Sequence, residues 1–379
     1  MIGVITNANS SRNRARRGHA EALRALVGEH GVVYATATID AIKPAVRALL
    51  RADVGRWVAD GGDGTFHQVL RATLEVLEEA EFRARGAALP VIVPSGGGSI
   101  NFIAQHVGIR GDPEAVIARY CACARAAQPL EMVALDTLAI TLHRGPGPDR
   151  ESTQSTIGFA AVAGGIGEHF LQKYYASGAP GPEQVARVIA KTLLSLPLAM
   201  TPAGRLSPRL GRAAAYAEQM FEPTRARVTV DGRVLPHSEH TVISVGSLAI
   251  QLGPLLRFFP LSDPPGVMQV MAGSPPPVEI VRALPRIYRG VPLHGVPGYF
   301  ESACARVSVE QLGSGPLNPI IDGELYPGLN RVDFQVGVRI RIPRVEVPTY
   351  SGSPLRIRKR LRRLAARSTA RGGPAETAP

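Results

Sequence analysis

Up to about residue 130, short apolar runs alternate with stretches that are apolar on one face only. Ile2–Thr6 reads as a strand, and Arg14–Val27 as a helix with Ala20, Leu23, Leu26 and Val27 on one side. Val32–Ala35 predicts a second strand. Ile42–Leu50 predicts a helix whose proline falls near its start, where proline is tolerated. Trp57–Ala59 is a third strand and Pro90–Val93 a fourth. Between them, Phe66, Val69, Leu70, Thr73, Leu74 and Leu77 recur with the helical period. Strands separated by helices imply a parallel sheet, with ligands held beyond the carboxyl ends of the strands.

The pattern changes after residue 130. Leu138–Leu142, Arg225–Val230, Thr241–Val245, Gly266–Met271, Ala305–Val309 and Val332–Ile342 read as strands, several with period-two alternation. Asp231-Gly232 between two such runs is a hairpin signal. One helical stretch, Pro182–Leu198, interrupts the series. These patterns predict an α/β nucleotide-binding domain over 1–133, a mostly-β sandwich or open barrel over 134–345, and a tail over 346–379. The stretch 345–354, rich in Pro, Ser and Gly, reads as a linker, and no internal repeat is evident.

Composition narrows the class. At 379 residues two domains are expected, and 45% apolar content suits a folded chain. Lys and Arg number 43 against 31 Asp and Glu, a net +12 that favours an anionic partner. Eight of the basic residues (Arg356, Arg358, Lys359, Arg360, Arg362, Arg363, Arg367 and Arg371) crowd the tail. Ile357, Leu361 and Leu364 would stripe a helix there, a pattern suited to docking on anionic lipid and equally to a solvated charged tail. With aromatic residues at 5%, nucleic-acid binding is not expected. Cys121, Cys123 and Cys304 make no disulfide framework and read as buried thiols of a reducing compartment. Met1 leads directly into an apolar strand without a basic leader, and no apolar run reaches the roughly 20 residues of a membrane span. The expected location is the cytoplasm, peripheral at the inner face of the membrane. Exposed strand edges leave room for a homodimer.

Two glycine-rich loops follow strands and precede helices. Gly61-Gly62-Asp63-Gly64-Thr65 lets the backbone approach a phosphate closely and take up positive φ, with the next helix offering its N–H groups to the anion. Asp63 within such a turn points to a cation or a proton. The second loop, Pro94 to Asn101, contains Gly97, Gly98 and Ser99. Two such loops at one sheet edge can hold one triphosphate, which points to phosphoryl transfer; a pair of tight strand-to-helix turns is the plainer alternative.

With these motifs the chain resembles the diacylglycerol kinase catalytic-domain family, which includes sphingosine and ceramide kinases and bacterial lipid kinases. The family hallmark, a GGDGT loop, is unaltered at 61–65. Its second loop resembles Pro94–Asn101, with Ser99 in the hydroxyl position, and its strand ending in Thr is matched loosely by Thr36. Its late Asp-Gly-Glu turn is matched by Asp322-Gly323-Glu324. The resemblance implies ATP and Mg²⁺, a lipid hydroxyl as acceptor, Glu324 as proton acceptor supported by Asp322, and Asp63 toward the nucleotide's metal. Asn7, Thr36, Gly61, Gly62, Gly64, Thr65, Gly97, Gly98, Ser99 and Asn101 would bind the nucleotide. The departures are Asn7-Ala8-Asn9-Ser10-Ser11 for the family's Asn-Pro-x-Ser-Gly, Phe66-His67-Gln68 for Leu-Asn-Glu, and Phe102 after Asn101 where many relatives have Asp. His67 is read as a helix residue of the first turn, with contact to a phosphate as the alternative. Bacterial relatives hold a structural divalent ion with an Asp-Gly; here Pro265 stands at that Asp, leaving Asp263 nearby. An ATP-dependent lipid kinase is the leading reading. A non-catalytic nucleotide- or lipid-binding relative and an NAD kinase-like enzyme are the alternatives. Diacylglycerol, sphingoid bases and other lipid acceptors stay open, and Leu252, Leu255, Leu256, Phe258 and Phe259 are candidates to line an acceptor cleft.

Overall fold

The computed structural model describes residues 1–347 except 15, 146–151, 177–180, 203–205, 253–255 and 314. Met1–Glu346 form one compact unit; of the unit that follows, 347–379, only Val347 is described, so the basic tail at 355–371 lies outside the described residues, as does Leu255.

The N-terminal layer is a parallel sheet of β1 (Ile2–Asn7), β2 (Gly31–Thr36), β3 (Arg56–Asp60) and β4 (Val91–Pro94), in the order β2-β1-β3-β4. Its helices are α1 (Ser11–Arg14), α2 (His19–Val27), α3 (Ile42–Arg51), α4 (Asp63–Leu77), α5 (Ala80–Ala84), α6 (Phe102–His106) and α7 (Pro113–Arg125). Val4, Ile5, Trp57, Val58 and Phe66 are buried between sheet and helices, each contributing roughly 1.5–3 kcal/mol by leaving water. The single helix expected over Arg14–Val27 is two, because Gly18 takes a left-handed φ of 68° and starts α2 afresh.

The remainder is two antiparallel sheets and a group of helices. The first sheet joins β5 (Met132–Arg144), β6 (Ser152–Gly158), β8 (Thr224–Val230), β9 (Arg233–Val234), β10 (Glu239–His240), β16 (Arg306–Gln311) and β19 (Arg331–Pro343). The second runs β15-β14-β11-β7-β17-β18, where β7 is Ala160–Gly165, β11 Val242–Gly246, β14 Met268–Gly273, β15 Tyr299–Cys304, β17 Ile320–Ile321 and β18 Glu324–Leu325. A small hairpin, β12 (Ile250–Leu252) and β13 (Leu256–Phe258), lies beside them. Alternate residues of both sheets, among them Leu138, Ile140, Val228, Val245, Val270, Val309 and Phe334, share one core, the sandwich expected from period two. The Asp231-Gly232 hairpin is present, with φ of 47° and 83° at the turn and Val230 paired to Arg233.

Helix content here exceeds the one stretch expected. α8 (Ile166–Tyr175), α9 (Pro182–Ala199) and α10 (Pro208–Met220) pack together, and α11 (Pro277–Arg289) lies on β13. The expected linker is not wholly one either: Val345 is buried, and Glu346 bridges to Arg110. The three cysteines are free and buried, as expected. Among the described residues no helix is long and apolar enough to cross a membrane.

Candidate functional site

The two glycine loops meet. Gly97 N–H donates to Gly61 O at 2.6 Å, and a Cβ added to Gly98 would stand 2.5 Å from Gly62 Cα. Gly61, Gly62 and Gly64 do not have positive φ, contrary to the sequence expectation; what they need is space. At Gly61 a Cβ would strike the Thr65 side chain, and at Gly62 it would strike Gly98. Gly64 differs: a Cβ there meets no protein atom, and Gly64 lines a cavity. α4 begins at Asp63 with no side-chain cap, so the N–H groups of its first turn are left for an anion at that cavity.

Several predicted residues brace this arrangement. Asn101, at a left-handed φ of 58°, accepts from Gly98 N–H and donates to Gly98 O, both at 2.8 Å. Asp63 accepts from the N–H groups of Phe102 (3.0 Å) and Ile103 (3.1 Å), tying the first loop to the helix after the second. Burial pushes the Asp63 carboxyl up to about 7, with the Asp322 charge adding to the push and the two N–H groups opposing it. Asn7 Nδ2 donates to Thr65 Oγ1 at 3.1 Å, and Thr36 Oγ1 donates to Thr6 O.

Asp60, unremarked in the sequence, is the buried hub beneath the loops. Thr6 Oγ1 and Ser95 Oγ donate to it at 2.7 Å, Asn13 Nδ2 at 3.0 Å, and His19 Nε2 lies at 2.7 Å. Burial alone would raise its carboxyl, but the hydrogen bonds from His19, Thr6 and Ser95 outweigh that and hold it below the ordinary range. His19 is raised in turn by its bond to Asp60. A lone Asp at a strand end carries no sequence signal for such a role.

The Asp-Gly-Glu turn closes the hairpin of β17 and β18, with φ of 47° at Asp322 and 91° at Gly323. Asp322 accepts from Phe159 and Ala160 N–H groups at 2.9–3.1 Å and sits 2.8 Å from His67 Nδ1. Glu324 accepts from Gln68 Nε2 through Oε1 and from Tyr326 OH through Oε2 at 3.2 Å. α4 thus carries the first glycine loop at its start and the partners of both late acids one turn on. Tyr175, also missed in the sequence, belongs here: its hydroxyl would lie 2.9 Å from a Cβ at Gly323.

One cavity of about 730 Å³ joins these parts. It is lined by Asn7, Thr36, Gly62 to Thr65, Gly98 and Ser99, by Asp322 and Glu324, and by apolar side chains that include Phe170, Leu193, Leu252, Leu284 and Val291. Leu252, Leu256, Phe258 and Phe259 line it as expected. Gly61, Gly97 and Asn101 support the loops from behind. Asp263 is exposed and apart, and among the described residues no three His, Cys, Asp or Glu side chains cluster as a metal site. The nearby Gly266 N–H donates instead to Asp136, which Arg339 holds through two bonds of 2.7 and 2.9 Å.

Comparison with known proteins bears out the resemblance. Residues 1–134 match the family model of the diacylglycerol kinase catalytic domain. The fold is similar to the crystal structure of a diacylglycerol kinase from Bacillus anthracis strain Sterne, at 11% identity and a TM-score of 0.50, over 92% of this chain and 98% of that one. It is also similar to a candidate diacylglycerol kinase from the same strain, at 12% identity and a TM-score of 0.51, over 89% of this chain and 96% of that one. At such identities the likeness speaks for the fold: a parallel N-terminal sheet with helices, followed by antiparallel sheets. No curated protein matched.

Proposed function

We propose that this chain is an ATP-dependent lipid kinase that transfers the γ-phosphoryl group to a lipid hydroxyl. The observation that carries the reading is that the paired glycine loops, Asp322 and Glu324, and a large set of apolar side chains line one and the same cavity. The kinase-domain match supports the use of ATP and a divalent metal. At Gly64 a Cβ would occupy only cavity space, which leaves room for a phosphate against the backbone there.

In this reading the first-turn N–H groups of α4 and the Gly98–Ser99 backbone hold the phosphates, with Asn7, Thr36 and Thr65 beside them. Asp63, once ionised, would help to hold the nucleotide's Mg²⁺, and that ion would supply charge neutralisation on the phosphates. The acceptor oxygen forms a bond to the γ-phosphorus, the bond from that phosphorus to the β-phosphate oxygen breaks, and Glu324 takes the hydroxyl proton. Gln68 and Tyr326 hold Glu324 in place, and Asp322 anchors the turn.

The cavity mouth supports a membrane acceptor. Leu193 and Val291 line the cavity yet remain 36% and 45% exposed. Close by in sequence, Leu194 and Leu206 are each 79% exposed, and Arg187, Lys191, Arg209 and Arg212 are exposed on the same helix pair. Apolar side chains ringed by cations suit an anionic lipid surface. The basic stretch 355–371 would add to this attraction, at about 1 kcal/mol per basic residue near the surface.

The test is incubation of the purified protein with Mg²⁺, labelled ATP and a mixed lipid extract in micelles. A labelled lipid is the expected product and names the acceptor. Nucleotide binding without any labelled lipid would reject the reading in favour of a binding protein, and label on NAD in a parallel incubation that supplies NAD in place of lipid would favour the dinucleotide kinase.

A further inference from the structure

The apolar chamber has one wall of sheet, and a single rank of residues crosses it. Glu301 on β15 lies opposite Met271 on β14, Met271 opposite Ser244 on β11, Ser244 opposite Val162 on β7, and Val162 opposite Ile320 on β17. All five line the cavity. The neighbouring rank, including Val270 and Val245, points the other way into the sandwich core. Strands lie roughly 4.8 Å apart, so four steps place Glu301 roughly 19 Å from Ile320, which precedes Asp322 by two residues.

Glu301 is out of character on that wall. It is 8% exposed, among Leu293, Val296 and Tyr299, which also line the cavity. Gln269 Nε2 donates to its Oε2 at 3.1 Å. Its Oε1 is buried and receives no hydrogen bond of ordinary geometry; His294 Nδ1 is 3.3 Å away, in a side chain that is itself largely exposed. A buried carboxyl oxygen without a donor is costly, and buried polar atoms are satisfied in the great majority of folds. Burial raises the Glu301 carboxyl above its ordinary value, and outweighs the opposing pull of His294, the Leu293 backbone, Arg286 and the Tyr299 hydroxyl.

We propose that Glu301 is a specificity group of the acceptor site, receiving an O–H or N–H carried on the acceptor's chain. Resting on the lipid-kinase reading, the phosphorylated hydroxyl lies beside Glu324 on β18, one strand beyond Ile320, so the donor stands five strand spacings away, roughly 24 Å. An amine adjacent to that hydroxyl is too close to be the partner of Glu301. The acceptor class is therefore a lipid whose long chain bears a polar donor toward its far end. Gln269 fixes the carboxyl, leaving Oε1 to the ligand.

The experiment measures binding, so it does not depend on turnover. A fluorescent monoacylglycerol bound to the full chain is displaced by palmitoyl-glycerol or by ω-hydroxypalmitoyl-glycerol. Wild type is expected to bind the hydroxylated lipid about tenfold or more tightly. Glu301→Leu is expected to lose that preference while binding palmitoyl-glycerol at least as well. Glu301→Gln, which retains an acceptor oxygen and the size of the side chain, keeps part of it. Equal binding of the two lipids by wild type, or the same preference in Glu301→Leu, overturns the proposal. Preference in binding without phosphorylation of any lipid would leave the Glu301 site standing and remove the kinase reading. Phosphorylation without preference would do the reverse.

Discussion

His67 Nδ1 lies 2.8 Å from Asp322 Oδ2, with both side chains shut off from solvent. The next residue, Gln68, reaches Glu324. Two consecutive positions of α4 therefore grip the two acids of the late turn, and the same helix begins at the glycine loop. Phosphate cradle and proposed base are fixed relative to each other by one rigid element.

Replacing His67 tests that coupling. His67→Ala leaves Asp322 with only its backbone donors, and loss of a buried partner costs roughly 1–3 kcal/mol. Urea unfolding should show a loss of that size, and kcat should fall while the KM for ATP holds. An unchanged kcat in a folded variant would show that the turn needs no grip from α4.

Glu324→Gln retains the size of the side chain and its contacts to Gln68 and Tyr326 but cannot accept the proton. A positioned base is worth about 10²–10⁴ in rate. The expected result is a kcat lower by that factor with ATP affinity unchanged by calorimetry. A variant turning over at the wild-type rate removes Glu324 from the mechanism.

Gly98→Ala and Gly64→Ala should part company. The Gly98 Cβ would stand 2.5 Å from Gly62 Cα and 2.9 Å from Asn101 Oδ1, so the loops must separate and the melting temperature should drop. At Gly64 the Cβ meets no protein atom, and alanine in a helix is better than glycine by about 0.5–1 kcal/mol. Gly64→Ala is expected to be as stable as wild type or more so, yet to bind ATP at least tenfold less well. Undiminished ATP binding would place the phosphates elsewhere.

Much of the architecture is legible in the chain because the N-terminal strands are buried on both faces and read as apolar runs, Ile2–Thr6 and Pro90–Val93 among them. β7 is missed because Ala160–Gly165 holds three alanines, a valine and two glycines and lacks the β-branched run that marks a strand. α11 is missed because Pro276, Pro277 and Pro285 read as a loop, although Pro277 serves as the first helical residue. Asp231-Gly232 and Asp322-Gly323 adopt the same left-handed turn, so local sequence cannot tell structural hairpin from candidate site. The difference is long-range: Asp231 caps Ala305 and Arg306 N–H groups at the surface, whereas α4 brings His67 to Asp322 across 255 positions. The Asp60 hub and Glu301 are likewise products of sheet register rather than of motif.

Leu194 and Leu206 test the membrane face. Changing both to Asp removes two largely exposed apolar side chains and adds negative charge, at little cost to folding. Sedimentation with anionic vesicles should fall several-fold, as should turnover of a vesicle-borne acceptor. Turnover of a short-chain acceptor dissolved as monomer should persist. Equal vesicle binding by the double variant would move the docking face to another part of the molecule.

Asp63 gives stability a pH dependence of defined sign. Its carboxyl titrates near about 7 in the folded chain, raised mainly by burial, against about 3.9 when unfolded. Between those values the folded state holds a proton that the unfolded state has released. Its contribution is therefore full below about pH 4 and declines as pH rises to about 7, the reverse of an ion-paired Asp. Asp63 borders the open cavity, so water moderates the effect. The melting temperature of wild type should decline over that window relative to Asp63→Asn, whose side chain does not titrate. Binding of Mg²⁺ with ATP selects the ionised form, so in wild type the affinity should rise with pH up to about 7 and then level. A pH-independent difference between the two proteins in melting temperature would show that Asp63 is ionised throughout, and the carboxylate would then be held by Phe102 and Ile103 alone.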